Sequence, residues 1–172
     1  MIERSPSGDP IWIENEYYLP MKLSADDQTN FPNLTHYLRH DFPLLIGNGI
    51  ITSNLRKFGS LSSAQARSAL LWDTDPLVVI TDLDAGQCGV PQAFGCTSDS
   101  TQIEIDDDLV NEFENNANDN LRLTAFGKHV FLTGVTLLHE MCHWGNFLNG
   151  VAEADGDAGE KFETAVYGGV VD

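Results

Sequence analysis

The chain has 172 residues, 42% hydrophobic and 20% charged, a make-up that suits one globular domain over 1–172 with a real core, residues 1–10 being expected to be flexible. Its formal charge of −17 excludes a basic phosphate-binding patch, so no nucleic-acid partner is expected; the acid solvates the surface and favours a cationic partner. No stretch reaches membrane-spanning length and residues 1–10 carry Arg4 but no apolar run, so neither a membrane partner nor a Sec-type signal peptide is expected.

In chain order, residues 11–18 are rich in β-branched and aromatic types and end near Pro20, which predicts a strand. Residues 21–32 read as loop. A short helix is expected around His36 and His40, a histidine pair that lacks a following glutamate and is closed by Pro43. Residues 44–58 read as an apolar helix broken around Gly47-Asn48-Gly49. Ser62 and Gln65 have capping-box spacing, with Leu61 ahead of them, and predict a helix over 63–72.

Leu77-Val78-Val79-Ile80-Thr81 is a continuous apolar run and predicts a central strand buried on both faces. Residues 84–100 form a Gly-containing loop with Cys88 and Cys96, which either close a small disulfide in an oxidising compartment or remain buried thiols. Residues 101–106 alternate polar and apolar, as a half-exposed strand does, and such a strand could pair with an extended peptide. Asp106, Asp107 and Asp108 favour the start of a helix over 107–117. Thr124 is expected to cap a long helix over about 125–148, stopped by Gly150.

That helix carries His139-Glu140-Met141-Cys142-His143. Histidines four apart lie one above the other on a helix and can hold one metal ion, while Glu140 is turned about 100° away and can reach a water without ligating the metal. This is the H-E-x-x-H arrangement of zinc hydrolases. Phe131, Val135, Leu138 and Cys142 form an apolar stripe, with the histidines and Thr136 beside it and facing a cleft. Cys142 reads as a buried apolar thiol and His129 as a surface or substrate-side residue too far along the helix to ligate.

A catalytic zinc takes three protein ligands and keeps one open position. Asn146 and Asn149 occupy the positions where a metzincin would have its glycine and third histidine, so that pattern fails. Glu163 stands twenty residues after His143, about the separation of thermolysin-like enzymes, and is the favoured third ligand. Glu160 follows, and Glu153, Asp155 and Asp157 remain open. Residues 159–168 read as a short helix with Phe162 and Val166 inward. Tyr167, four residues past Glu163, is a candidate donor to an oxyanion, or a core tyrosine.

Leu138-His139-Glu140-Met141-Cys142-His143-Trp144-Gly145-Asn146, with the Gly159 to Gly168 segment, resembles the metallopeptidase toxin domains at the C-termini of type VI secretion spike proteins and in related polymorphic toxins. The Cys88 to Cys96 loop and the Ile103-Glu104-Ile105 strand are also similar, and the resemblance covers about residues 77–170. It implies an α+β, zincin-like fold: a small antiparallel or mixed sheet packed on the long active-site helix and a C-terminal glutamate-bearing helix. It also implies a gluzincin-like zinc peptidase, with Zn2+ on His139, His143 and Glu163 and with Glu140 as base. Delivery to the periplasm of a rival bacterium without a Sec signal, a secretion spike and an immunity protein follow as expectations. The expected activity is that of a zinc metalloendopeptidase acting on protein or peptide as an antibacterial effector. The alternatives are a zinc amide hydrolase acting on peptidoglycan peptides and a non-catalytic, metal-stabilised binding module.

Overall fold

The computed structural model describes residues 22–86, 88–89, 91–153 and 156–172; the strand expected over 11–18 and the flexible segment 1–10 lie outside them. The 21–32 segment is helical where loop was expected. Ser24 Oγ accepts the Asp27 N–H at 3.1 Å and caps helix α1, Ala25–Asn30, whose first turn holds Asp26 and Asp27 against the helix dipole. Helix α2, Pro32–His36, starts with proline where no N–H is needed. A π-helical turn, Tyr37–Asp41, and a 3₁₀ segment, Phe42–Gly47, continue it. The break expected at 47–49 is a new cap: Asn48 Oδ1 accepts the N–H groups of Ile50 and Ile51 and begins α3, Gly49–Phe58. The Ser62–Gln65 capping box is present in both directions, and α4 is the shorter span Ser63–Ser68.

Strands β1 (Leu77–Thr81), β2 (Gly95–Cys96) and β3 (Gln102–Asp106) form one sheet in the order β1-β3-β2, with β1 parallel and β2 antiparallel to β3. The two strand expectations therefore exchange places. The apolar run of β1 flanks the sheet and only Val78 is buried, whereas the alternating β3 lies in the middle. The strand left with an outer edge on that side is β2, not β3.

Asp106 caps α5, Asp107–Asn115, through the N–H groups of Asp108 and Leu109, and its other oxygen accepts the Leu83 N–H. The long helix is shorter than expected. Strands β4 (Leu121–Leu123) and β5 (His129–Phe131) pair as an antiparallel hairpin closed by Gly127 at a φ of 72°, so Thr124 belongs to the hairpin turn, where its Oγ1 accepts the Lys128 N–H. Helix α6 runs Leu132–Leu148 and its cap comes from further back in the chain: buried Asn120 takes the Leu132 N–H on its carbonyl and the Thr133 N–H on Oδ1, both at 2.9 Å. Helix α7, Ala158–Tyr167, follows and ends at Gly168 in the left-handed region.

The fold is α+β. The apolar core extends from Leu23 to Val171, and α6 lies within it. Gly145 lets α3 and its trailing turn cross α6 closely, since a Cβ there would meet Leu61 at 2.8 Å and overlap the Gly59 carbonyl. Among the described residues no helix is long and apolar enough to cross a membrane.

Candidate metal centre and its cleft

Helix α6 turns His139, Glu140 and His143 toward a cleft of about 420 Å³ bounded by the β2 segment, the start of α7 and residues 170–172. One donor atom from each of the three falls within 4.8 Å of the others. Both rings are fixed at two points. His139 Nδ1 lies 2.6 Å from Glu163 Oε1, and His143 Nδ1 lies 2.7 Å from Glu153 Oε1. Both Nε2 atoms converge on one atom, Asp157 Oδ1, at 3.3 Å from His139 and 3.4 Å from His143.

Sequence expected Glu163 on the metal. Both of its oxygens are engaged elsewhere, Oε1 on His139 Nδ1 and Oε2 accepting the Val171 N–H at 2.7 Å. The carboxylate facing the Nε2 atoms is that of Asp157. It is held there because Oδ1 also caps α7 by accepting the Glu160 N–H at 2.8 Å. Glu153 is braced in turn by Asn146 Nδ2 at 3.1 Å and the Ala158 N–H at 3.2 Å. Gly159 is required where it stands: a Cβ would overlap the His139 ring, so the first turn of α7 lies directly against that imidazole.

The charges match this arrangement. Burial pushes Asp157 upward, but hydrogen bonds from His143 and the Glu160 N–H, with the positive charge of both histidines, outweigh it and hold the carboxyl well below the usual range. Burial lowers His143, yet Asp157, Glu140 and Glu153 more than compensate and raise it to about 9. Burial raises Glu140, against the opposing pull of the two histidines and Thr97.

Glu140 is met from above by β2. Thr97 Oγ1 donates to Glu140 Oε2 at 2.8 Å, and Gly95 packs so closely that a Cβ would lie 2.7 Å from Glu140 Cγ. Cys88 and Cys96, left open by sequence, are joined in a disulfide. Cys142 is buried and free.

The structure does not bring Tyr167 to this cleft. It lies on the other side of α6, lining a separate apolar cavity with Tyr37, Gly134 and Leu138, and burial pushes its hydroxyl above the usual range. His129 is exposed on β5, and the His36 and His40 rings, tilted at 44° with centroids 4.6 Å apart, do not line the cleft. Sequence reasoning missed Thr97 and the bracing role of Glu153; the available signal for Asp157 was its position as the residue that caps α7.

An α+β chain presenting H-E-x-x-H from a buried helix, with carboxylates at both ring nitrogens of both imidazoles, has the architecture of a metallopeptidase. The model of the metallopeptidase toxin 3 family matches residues 27–168, and the chain belongs to that family. Neither a curated protein nor a solved structure matches it. Membership makes it a metallopeptidase toxin, for which a metal ion and a protein or peptide substrate are integral.

Proposed function

We propose that the chain is a zinc endopeptidase whose ion is held by His139 Nε2, His143 Nε2 and Asp157, with Glu163 and Glu153 orienting the two rings and Glu140 as general base. One observation carries this reading: both Nε2 atoms face a shared carboxylate oxygen while both Nδ1 atoms are held by carboxylates of their own. Imidazole and carboxylate donors suit zinc, and a carboxylate on the far ring nitrogen fixes the tautomer and raises ligand basicity. Glu163, expected from sequence as a ligand, takes this orienting role.

An ion bound there supplies Lewis acidity, polarising a carbonyl and acidifying water. Glu140 accepts the proton of the attacking water and returns it to the leaving amine. Its Oε2 is tied to Thr97, and burial makes the carboxylate a stronger base. The oxidised Cys88–Cys96 pair supports action in an oxidising compartment such as the periplasm of a target bacterium, where an antibacterial effector would act.

Metal stoichiometry tests the ligand set. Asp157→Ala should lose bound zinc, while Glu163→Gln and Glu153→Gln should keep a full equivalent at saturation with affinity weakened about 10–100-fold. Retention of tight binding by Asp157→Ala, with loss in Glu163→Gln, would return the third position to Glu163. Glu140→Gln should keep metal and fold and lose about 10²–10⁴-fold in kcat; full activity in that variant would end the general-base assignment.

A further inference from the structure

The Thr97 contact on Glu140 rests on an unusually small piece of structure. Strand β2 is two residues long, pairing Gly95 with Ile105 and Cys96 with Glu104, and one further backbone bond joins the Asp106 N–H to the Phe94 carbonyl at 3.0 Å. So short a strand has little stability of its own. Gly95 offers no side chain to hold it against α6. Its covalent tie is the bond from Cys96, the residue immediately before Thr97, back to Cys88; beyond Thr97 the segment is next held where Trp144 Nε1 donates to the Ser100 carbonyl at 2.9 Å. Both half-cystines are half-buried and border the cleft that holds His139 and Glu140, so a small thiol can reach them.

Resting on the peptidase reading, we propose that Thr97 is the positioning residue for Glu140 and that the Cys88–Cys96 bond is the latch that keeps it there, so that hydrolysis requires the oxidised disulfide. With the bond formed, Thr97 Oγ1 holds Glu140 Oε2 at 2.8 Å and fixes the carboxylate in one rotamer. Reduction proceeds by thiol–disulfide exchange. Two molecules of a low-molecular-weight thiol give up two electrons and two protons, the Cys88–Cys96 S–S bond breaks, two protein thiols form, and the reductant leaves as its own disulfide. The residues around Gly95 then lose their tether, and Glu140 loses a hydrogen bond to its charged form. In a reducing cytosol the chain is held at low activity; in an oxidising compartment it is switched on.

The test compares hydrolysis of an unfolded protein by five samples with metal bound: oxidised wild type, wild type reduced by a trialkylphosphine and desalted, Cys88→Ser/Cys96→Ser, Thr97→Val and Thr97→Ser. Loss of a hydrogen bond to a charged group predicts a fall of about 10–100-fold in kcat for the reduced protein, the double serine variant and Thr97→Val. KM should stay within about twofold, metal content and circular dichroism of the double serine variant should be unchanged, and reoxidation should restore the wild type. Thr97→Ser, which keeps the hydroxyl, should keep kcat within about threefold. Equal activity of the oxidised and reduced wild type would overturn the latch. So would a Thr97→Ser as inactive as Thr97→Val, or global unfolding of the double serine variant. An oxidised, metal-bound wild type that hydrolyses nothing would overturn the peptidase reading itself, and the latch with it.

Discussion

At the scale of single residues the centre is built from hydrogen bonds that would remain without the ion. Asp157, Glu153 and Glu163 surround two imidazoles, and His143 is raised from 6.5 to about 9 by Asp157, Glu140 and Glu153 acting against its burial. A folded-state value above the unfolded one means that His143 contributes stability fully below about pH 6.5 and loses it as pH rises through about 9. Chelated protein should therefore melt at progressively lower temperature between those limits, and His143→Gln should flatten that part of the profile. A chelated wild type whose melting temperature is constant from pH 6.5 to 9.5 would show that the histidine is uncharged without metal. What sequence could read here was the helical part. His139, Glu140 and His143 follow from a period of 3.6, which fixes their relative directions wherever the helix goes. The third carboxylate was not legible in the same way. Whether Asp157 or Glu163 meets Nε2 depends on the rotation of the rings and on the path of residues 149–157, and neither is set by local spacing. Distance along the chain favours Glu163, whereas the carboxylate that lies 3.3 and 3.4 Å from the two Nε2 atoms is that of the α7 cap, Asp157.

At the scale of elements, the chain places α6 by means that a pattern of apolar residues does not record. The apolar pattern extends the helix back to residue 125, yet Leu121–Leu123 and His129–Phe131 pair across Gly127, where Val130 and Phe131 pack on the core and the glycine accepts the positive φ. The helix then starts on Asn120, a residue contributed by the preceding turn and completely buried, whose Nδ2 also reaches the Leu109 carbonyl of α5 at 3.5 Å. Asn120→Ala removes that cap and leaves the Thr133 N–H without its partner. The cost should be about 1–2 kcal/mol, or roughly 2–8 °C in melting temperature for a chain of this size, read by thermal unfolding of the metal-bound protein. An unchanged melting temperature would mean that Asn120 is incidental to where α6 begins. The exchange of β1 and β3 has a similar origin. An unbroken apolar run does not report rank within a sheet: Leu77–Thr81 flanks β3 with only Val78 buried, while β2, which sequence did not predict, occupies the far side of β3.

At the scale of the whole molecule, the charge of −17 is carried into the cleft. Glu140, Asp157, Glu160, Glu163 and Asp172 border it, Glu153 stands behind His143, and among the described residues no lysine or arginine lines it. A divalent ion offsets only two of those charges, so the bound centre still presents a negative field, with exposed Phe94 and Val170 as the apolar parts of its walls. Low-dielectric walls focus that field and raise the local concentration of cations. A peptide with lysine or arginine beside a large apolar residue should therefore have kcat/KM at least about tenfold above its glutamate-substituted twin at low ionic strength, within the 10–10³ range of electrostatic steering. The advantage should shrink as salt rises from about 0.05 to 0.5 M, since the screening length falls from above 10 Å to below 5 Å. Glu160→Lys/Asp172→Lys should narrow the ratio further without removing the ion, because the polar partners of His139 and His143 are Asp157, Glu163 and Glu153. If the two peptides were cleaved equally at low salt, the acid of this protein would serve its solubility alone and the cleft would select substrate by shape.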